Sequence, residues 1–330
     1  MRVCHYTDCE FLVGGGIEQS FKLQRKALDK AEVNWTPDSA EDFDILHLNT
    51  LTPLSIFNMF KANMGGKKVI YHVHSTAEDF EGSFRFSKLL SPVVDYFTRA
   101  VYSRADLLLA PSKYTKNILE EKGMQNVEVV SNSYCKDRLE GYDELDSESL
   151  RDSYDVDKPV VVNLAAVFER KGVPDFVGAA EEIDNVDFIW FGSQVNSIVQ
   201  GSKVNSLLSD LPENTQFPGF VEDPREAFAV GDIFFFPSTV EHQPVSLLEA
   251  LACEMPIVVR DIPQYEGWLE DSKNCIKADS REGFVEAIEE LRDDPSLRKK
   301  LSENASEQSE NHTVSRVGDR LQEVYSDCLN

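Results

Sequence analysis

Short apolar runs alternate with stretches whose apolar residues recur every three or four positions, and the alternation persists through most of the chain. In the first half the runs at 2–6, 45–48, 68–71, 106–110 and 127–130 read as strands, with helical patterns such as 17–30 and 115–122 between them. Residues 131–158 are polar, acidic and aperiodic, and read as a linker. The pattern then restarts, with strands at 160–165, 187–191, 233–236 and 257–260. Helical patterns follow at 173–183, 245–253, 281–292 and 296–308, and a last one at 314–329 carries Val317, Leu321 and Tyr325 at four-residue steps. This is the signature of an α/β protein with parallel sheets, built as two similar units facing each other.

Composition sharpens that picture. A chain of 330 residues suits two domains of roughly 150 residues each. Its 42% hydrophobic content supports globular folding, and no apolar run approaches the roughly 20 residues that span a bilayer. Met1-Arg2-Val3-Cys4-His5-Tyr6 reads directly as a strand and not as a signal peptide, so a cytoplasmic location is expected. Six cysteines without a CxxC pair read as reduced thiols.

The net charge of −25 argues against nucleic acid as a partner. The charge is uneven: residues 1–130 carry 17 acids and 15 bases, whereas residues 131–330 carry 41 acids and 18 bases. So acidic a second half fits a halophilic protein, in which carboxylates hold water and salt screens their repulsion.

Several residue groups are candidates for chemistry. Glu241 and Glu249 stand eight positions apart, the first after a strand-like run and the second inside a helical pattern, which would aim both into a cleft at the carboxyl end of a strand. Gly14-Gly15-Gly16 follows the first strand and precedes a helix; it is equally a plain turn or a close backbone approach to phosphate. His72 and His74 close the run that begins at Lys68, as structural histidines or as hydrogen-bond donors to substrate. No third ligand for a metal accompanies them. Glu169-Arg170-Lys171-Gly172 puts two cations at a strand-to-helix turn, a position suited to a diphosphate. From 83 to 104, Phe84, Leu89, Leu90, Val93, Val94, Phe97 and Val101 alternate with Arg85, Lys88, Arg99 and Arg104, and Asp95 is the only acid. That stretch fits either an interfacial membrane contact or a core-facing helix with a basic edge.

Together these residues resemble a retaining glycosyltransferase of family four, and within it the bacterial 1,2-diacylglycerol 3-glucosyltransferase-like enzymes. The resemblance rests on His72-Val73-His74-Ser75-Thr76-Ala77-Glu78-Asp79-Phe80, Gly82-Ser83-Phe84, Phe168-Glu169-Arg170-Lys171-Gly172-Val173-Pro174-Asp175-Phe176, Phe188-Ile189-Trp190-Phe191-Gly192, Arg260-Asp261-Ile262-Pro263 and Trp268-Leu269, with the glutamates as the E-x7-E motif. It implies the GT-B fold, two Rossmann-like domains facing across a cleft. The expected division is an acceptor-side domain at 1–135, a linker at 136–158, a nucleotide-sugar-binding domain at 159–312 and a crossing-back helix at 313–330.

The resemblance also implies roles. Glu241 lies near the donor sugar, Glu249 holds the ribose hydroxyls, and Lys171 with Arg170 neutralises the diphosphate. His74 approaches the sugar, Gly15 and Gly16 in the Gly14–Gly16 loop border the diphosphate and acceptor, Phe220 falls where the base is packed or hydrogen-bonded, and Val245 and Ser246 join the donor-binding set. No cofactor and no metal are implied. Ala166 stands where many members carry arginine, and Pro244 where glycine is common.

The expected activity is metal-independent, retaining transfer of a hexose from a nucleotide sugar, UDP-hexose ahead of GDP-mannose, to a membrane lipid or lipid-linked acceptor. The enzyme would sit peripherally on the cytoplasmic face of a membrane, through residues 83–104. Transfer to a soluble oligosaccharide, or a non-catalytic nucleotide-sugar-binding subunit, are the alternatives.

Overall fold

A computed structural model describes residues 1–8, 16–74, 87–194 and 202–330, without the side chains of residues 16, 17, 87–91 and 202. Among these residues twelve strands form two six-stranded sheets, and every pairing is parallel. The first contains β1 (Val3–Tyr6), β2 (Trp35–Thr36), β3 (Ile45–Leu48), β4 (Lys68–His72), β5 (Leu107–Ala110) and β6 (Val127–Val129), in the order β2-β1-β3-β4-β5-β6. The second contains β7 (Val160–Leu164), β8 (Asp187–Phe191), β9 (Thr215–Gly219), β10 (Ile233–Phe236), β11 (Ile257–Arg260) and β12 (Ile276–Ala278), in the order β12-β11-β10-β7-β8-β9.

The central strands read as continuous apolar runs because helices cover both of their faces. Their side chains alternate between two cores. Val160, Val162, Phe234 and Phe236 join one, while Val161, Ile233 and Phe235 join the other. In the first sheet the order advances one way from β3 to β6. Right-handed crossovers then place helices Pro53–Met64, Ser87–Tyr102 and Lys113–Glu121 on a single face, where Met59, Ala62, Val101, Tyr102 and Leu119 pack on Leu46, Leu48, Tyr71 and Leu108. The opposite face is covered by helix Gly16–Lys30 and the final helix Val314–Leu329. Those two helices approach so closely that a Cβ on Gly318 would meet the Ala27 carbonyl oxygen at 2.3 Å.

Three differences from the sequence reading have physical causes. Strands β2, β9 and β12 were not expected. All three are sheet edges: β2 has two residues, β9 contains Pro218 and Gly219, and β12 is only half buried. Helix Pro53–Met64 falls between two expected strands but was not delimited from the sequence. Thr52 caps it, accepting from the Ser55 N–H at 3.1 Å, and Pro53 opens its first turn. Its buried side is Ser55, Asn58, Met59 and Ala62, whereas Leu54, Phe57, Phe60 and Met64 face outward, so its pattern is inverted.

The segment 131–158, read as aperiodic, is folded. It holds short helices Lys136–Leu139 and Ser147–Ser153, and Tyr134, Leu139 and Val156 are buried in the core of the second sheet. Apolar spacing over four to seven residues is too brief to show a period.

Candidate active site

Both sheets have a reversal in strand order, between β1 and β3 in the first and between β7 and β10 in the second. Loops diverge at such points and leave a crevice beyond the strand ends. In the second sheet that crevice holds the turn Glu169–Lys171 and the loop 237–244. Gly172 closes the turn at φ +87°, and a Cβ there would strike the Pro237 carbonyl oxygen at 2.4 Å, so glycine alone lets the turn lie against the loop. The Arg170 carbonyl accepts from the Thr239 N–H at 2.8 Å and from the Ser238 hydroxyl at 3.1 Å.

This clamp sets the two central charges. Lys171 Nζ is ion-paired with Glu241 Oε1, and Ser238 Oγ donates to the same oxygen at 2.6 Å. Both residues are largely buried, and Lys171 Nζ also lies 5.6 Å from the centre of the Phe236 ring. Arg170 runs along the loop, its Nη1 donating to the Val240 carbonyl at 3.4 Å. The Tyr265 hydroxyl, buried and pushed well up by burial and next by Glu241, has no hydrogen-bond partner among the described residues.

Helix Val245–Ala252 starts after Pro244 without a side-chain cap, so the Val245 and Ser246 N–H groups lie in its unpaired first turn. The Val245 side chain itself packs with the core of the first sheet. Glu249, 2% exposed, is ion-paired with Arg138. Burial pushes the Glu249 carboxyl up to about 7, and Arg138 opposes that shift. Arg138 comes from the segment read as a linker, and only the length of Lys136–Leu139, too short for periodicity, hid it.

Facing this charged edge is the first sheet's own. His5, His47, His72 and His74 form a column in which His5 meets His47 edge-on, with ring centroids 4.9 Å apart, and His72 stacks with His47 at 5.8 Å and with His74 at 4.6 Å. Amides and a phenol hold them. His74 Nε2 donates to Asn49 Oδ1 at 2.9 Å, Gln24 Nε2 donates to His72 Nδ1 at 3.2 Å, and His47 Nδ1 is 2.6 Å from the Tyr325 hydroxyl. Burial pushes His5 down to about 4 and His74 down to about 3, and His47 and His72 well below the usual range. The column is therefore uncharged. His5 and His47 were not singled out from the sequence, where each sits alone in an apolar run.

The loop that carries Glu241 joins the two edges. His242 Nδ1 is 2.7 Å from Thr115 Oγ1. Gln243 Oε1 accepts from the Asn132 N–H at 2.7 Å and from Ser131 Oγ at 3.0 Å, and its carbonyl accepts from Asn132 Nδ2 at 2.8 Å.

The remaining sequence candidates fall as follows. Gly16 begins helix Gly16–Lys30, whereas Gly14, Gly15 and residues 75–86 lie outside the described residues. Phe220 follows β9 and is 72% exposed, outside the core. Ala166 is half buried.

Two family models match the chain, Glycosyltransferase Family 4 over residues 20–138 and Glycosyl transferases group 1 over residues 146–308. The processive diacylglycerol alpha-glucosyltransferase of Acholeplasma laidlawii is 30% identical over 336 residues, covering 100% of this chain and 99% of the relative. The alpha-galactosylglucosyldiacylglycerol synthase of Streptococcus pneumoniae is 29% identical over 331 residues, covering 95% and 87%. Among solved structures, Anabaena HepE in complex with UDP-glucose superposes with a TM-score of 0.78 at 15% identity, covering 99% of this chain and 100% of that one.

Proposed function

From the premise that the chain belongs to the family-four glycosyltransferases and has the GT-B fold, we propose that it moves a hexose from UDP-hexose to a diacylglycerol-type membrane lipid, with retention of configuration. The observation that carries the donor half is the Lys171–Glu241 pair clamped at the strand-order reversal of the second sheet. The lipid half is supported by the two relatives, whose names give diacylglycerol-based acceptors.

Transfer breaks the bond from the sugar's anomeric carbon to the β-phosphate oxygen and forms one to the acceptor oxygen. Negative charge grows on the departing diphosphate. Lys171 and Arg170, with the free N–H groups of Val245 and Ser246, would stabilise it, so this reading assigns charge neutralisation to side chains and not to a metal. As the diphosphate draws Lys171 towards it, Glu241 is left to accept from the sugar hydroxyls. The acceptor's proton passes to the leaving phosphate on the same face of the sugar, so no carboxylate need act as nucleophile. Glu249 would bind the ribose hydroxyls and Phe220 would pack on the base, while His74, uncharged, would reach the sugar from the opposite edge.

No described helix is long and apolar enough to cross a membrane, and we place the protein as peripheral on the cytoplasmic face, touching lipid through helix Ser87–Tyr102. Nucleotide release with UDP-glucose, UDP-galactose and GDP-mannose, over diacylglycerol dispersed in detergent, tests the reading, with mass spectrometry of the lipid. UDP release coupled to an alpha-linked hexosyl lipid is expected. Release only with a soluble sugar acceptor, or only with GDP-mannose, would replace this reading.

A further inference from the structure

The chain passes between the two sheets twice, after β6 at 131–134 and again at 312–314. The crossings lie side by side: the Tyr134 N–H donates to the His312 carbonyl at 3.0 Å, and the Val314 N–H donates to the Tyr134 carbonyl at 3.1 Å. The loop that carries Glu241 lies against them, and its residues divide between the two sheets. Ser238 and Glu241 are tied to the second, through Arg170 and Lys171. His242, Gln243 and Val245 are tied to the first, through Thr115, Asn132 and the core beneath its strands. The loop changes sides in the single step from Glu241 to His242.

Gln243 and Asn132 are both buried, and chemistry fixes the orientation of both amides. A backbone N–H only donates, so the atom facing the Asn132 N–H at 2.7 Å is the Gln243 carboxamide oxygen. A backbone carbonyl only accepts, so the atom 2.8 Å from the Gln243 carbonyl is the Asn132 amide nitrogen. Asn132 Oδ1 then accepts from Ser20 Oγ at 2.8 Å, on helix Gly16–Lys30. Ser131 Oγ lies 3.0 Å from Gln243 Oε1 and 2.6 Å from His312 Nδ1, so both crossings reach the loop. Pro244 adds no N–H donor, and helix Val245–Ala252 has no side-chain cap, so the start of that helix is held from outside.

We propose that Gln243 and Asn132 are positioning residues for the transfer: braced on both crossings, they set Glu241 and the Val245 and Ser246 N–H groups in register with His74 across the cleft. They act through the loop and not by touching the donor. The proposal rests on the donor-site reading of Glu241 and names what holds that site against the first sheet's edge. Donor binding and transfer should therefore respond differently. Lys171, Arg170 and Glu249, assigned to the nucleotide, lie on the second sheet's side and stay together when the brace is cut. Transfer needs groups from both sides aligned, and a misplacement of about 1 Å can cost on the order of a hundredfold.

Asn132→Ala and Gln243→Ala, singly and together in the full chain, test the proposal. Each should lower kcat for transfer about 10–100-fold, while the Kd for UDP-glucose, by calorimetry, stays within about threefold. The double variant should be no slower than the slower single one, because the two residues act through one contact. Ser131→Ala removes only the hydroxyl between Gln243 and His312. It should give a smaller loss of the same kind, about threefold, and keeps the split measurable where the larger changes impair folding. Hydrogen exchange reads the brace without substrate: residues 238–246 should lose protection in the Asn132 and Gln243 variants while β7 and β8 keep theirs. Unchanged kcat, losses that multiply in the double variant, or unaltered exchange at 238–246 would overturn the proposal. A UDP-glucose Kd weakened as much as kcat would also overturn it, by making Gln243 a donor contact. A wild type that neither binds UDP-glucose nor transfers would instead refute the proposed function, and hydrogen exchange would still decide the brace.

Discussion

The two edges that face each other across the cleft are built on the same parallel-sheet plan and hold opposite kinds of polarity. The first sheet presents a column of four histidines, joined by Gln24, Asn49 and Tyr325, all neutral because burial removes their charge. The second presents two carboxylates, each with its own cation, Glu241 with Lys171 and Glu249 with Arg138. A buried group keeps its charge only where a partner compensates for lost hydration. The contrast suits a division of labour in which one edge orients uncharged hydroxyls and the other manages a diphosphate.

The largest effect should come from the charged edge. Lys171→Ala and Glu249→Ala should each lower kcat/KM for donor-dependent transfer by about 10²–10³-fold, the usual loss for one fixed group that stabilises a developing anion or anchors its carrier. His74→Ala should cost less, about tenfold, since it removes a neutral contact. Steady-state kinetics with the identified donor would measure all three. A histidine change that costs more than the lysine change would reverse the assignment of the edges.

The next effect concerns pH and has opposite signs on the two sides. His5 is held at about 4 and His74 at about 3 when folded, against 6.5 as the ordinary value. The unfolded chain therefore binds more protons between roughly 6.5 and 4. Stability contributed by the column is present above that window and is lost as pH falls through it, on the order of 1 kcal/mol per pH unit for each histidine. Glu249 does the reverse. Its folded value of about 7 lies above the ordinary 4.5, so its contribution declines as pH rises through that range. Hydrogen exchange at pH 5 and pH 7.5 should show β1, β3 and β4 losing protection in acid while the Val245–Ala252 helix does not. Uniform acid lability of both sheets would remove the distinction.

A smaller change should isolate Arg138. Arg138→Ala leaves the buried Glu249 without its cation, since Arg138 is the group that opposes the upward push of burial on that carboxyl. Destabilisation of about 1–2 kcal/mol is expected, greater at pH 8 than at pH 6 because the carboxyl can take up a proton at the lower value. Donor KM should rise with it, and Arg138→Lys should recover part of both. Denaturant midpoints at the two pH values decide the matter. A loss greater at pH 6 would show that Arg138 acts through packing and not through its charge.

The sequence carried the central strands and the long helices because helices cover both sides of each sheet, which makes inner strands uniformly apolar and helices periodic. The edges β2, β9 and β12 lacked that signal. So did helix Pro53–Met64, where outward Phe57 and Phe60 present the pattern of a core to the wrong side. Within the site, Glu241, Glu249 and Lys171 stood out through motif spacing. Arg138, His5, His47 and Gln243 did not, because their positions depend on which strand ends and loops the chain topology brings together, and nothing in their immediate neighbours marks them.

The smallest predicted effect is carried by net charge. Residues 131–330 bear a net −23 and residues 1–130 a net −2, so self-repulsion belongs almost wholly to the second half. Part of it is concentrated in one groove, where Asp152, Asp155, Asp157, Glu181, Asp184 and Glu213 gather around Lys158. Raising KCl from about 0.1 M to 1 M shortens the screening length from roughly 10 Å to 3 Å, which weakens repulsion between exposed carboxylates more than it weakens buried pairs such as Lys171–Glu241. The melting temperature should rise by about 3–5 °C, and Asp155→Lys with Asp184→Lys should both raise it at low salt and flatten the slope. Chloride is used because sulfate would strengthen apolar burial in both halves. A wild-type melting temperature that does not rise with KCl would mean that the acids are already offset by local pairing, and the halophilic reading would go with it. A rise left unchanged by the double substitution would move the repulsion elsewhere on the second half, and a rise abolished instead by reversing Asp42 and Glu41 would place it on the first.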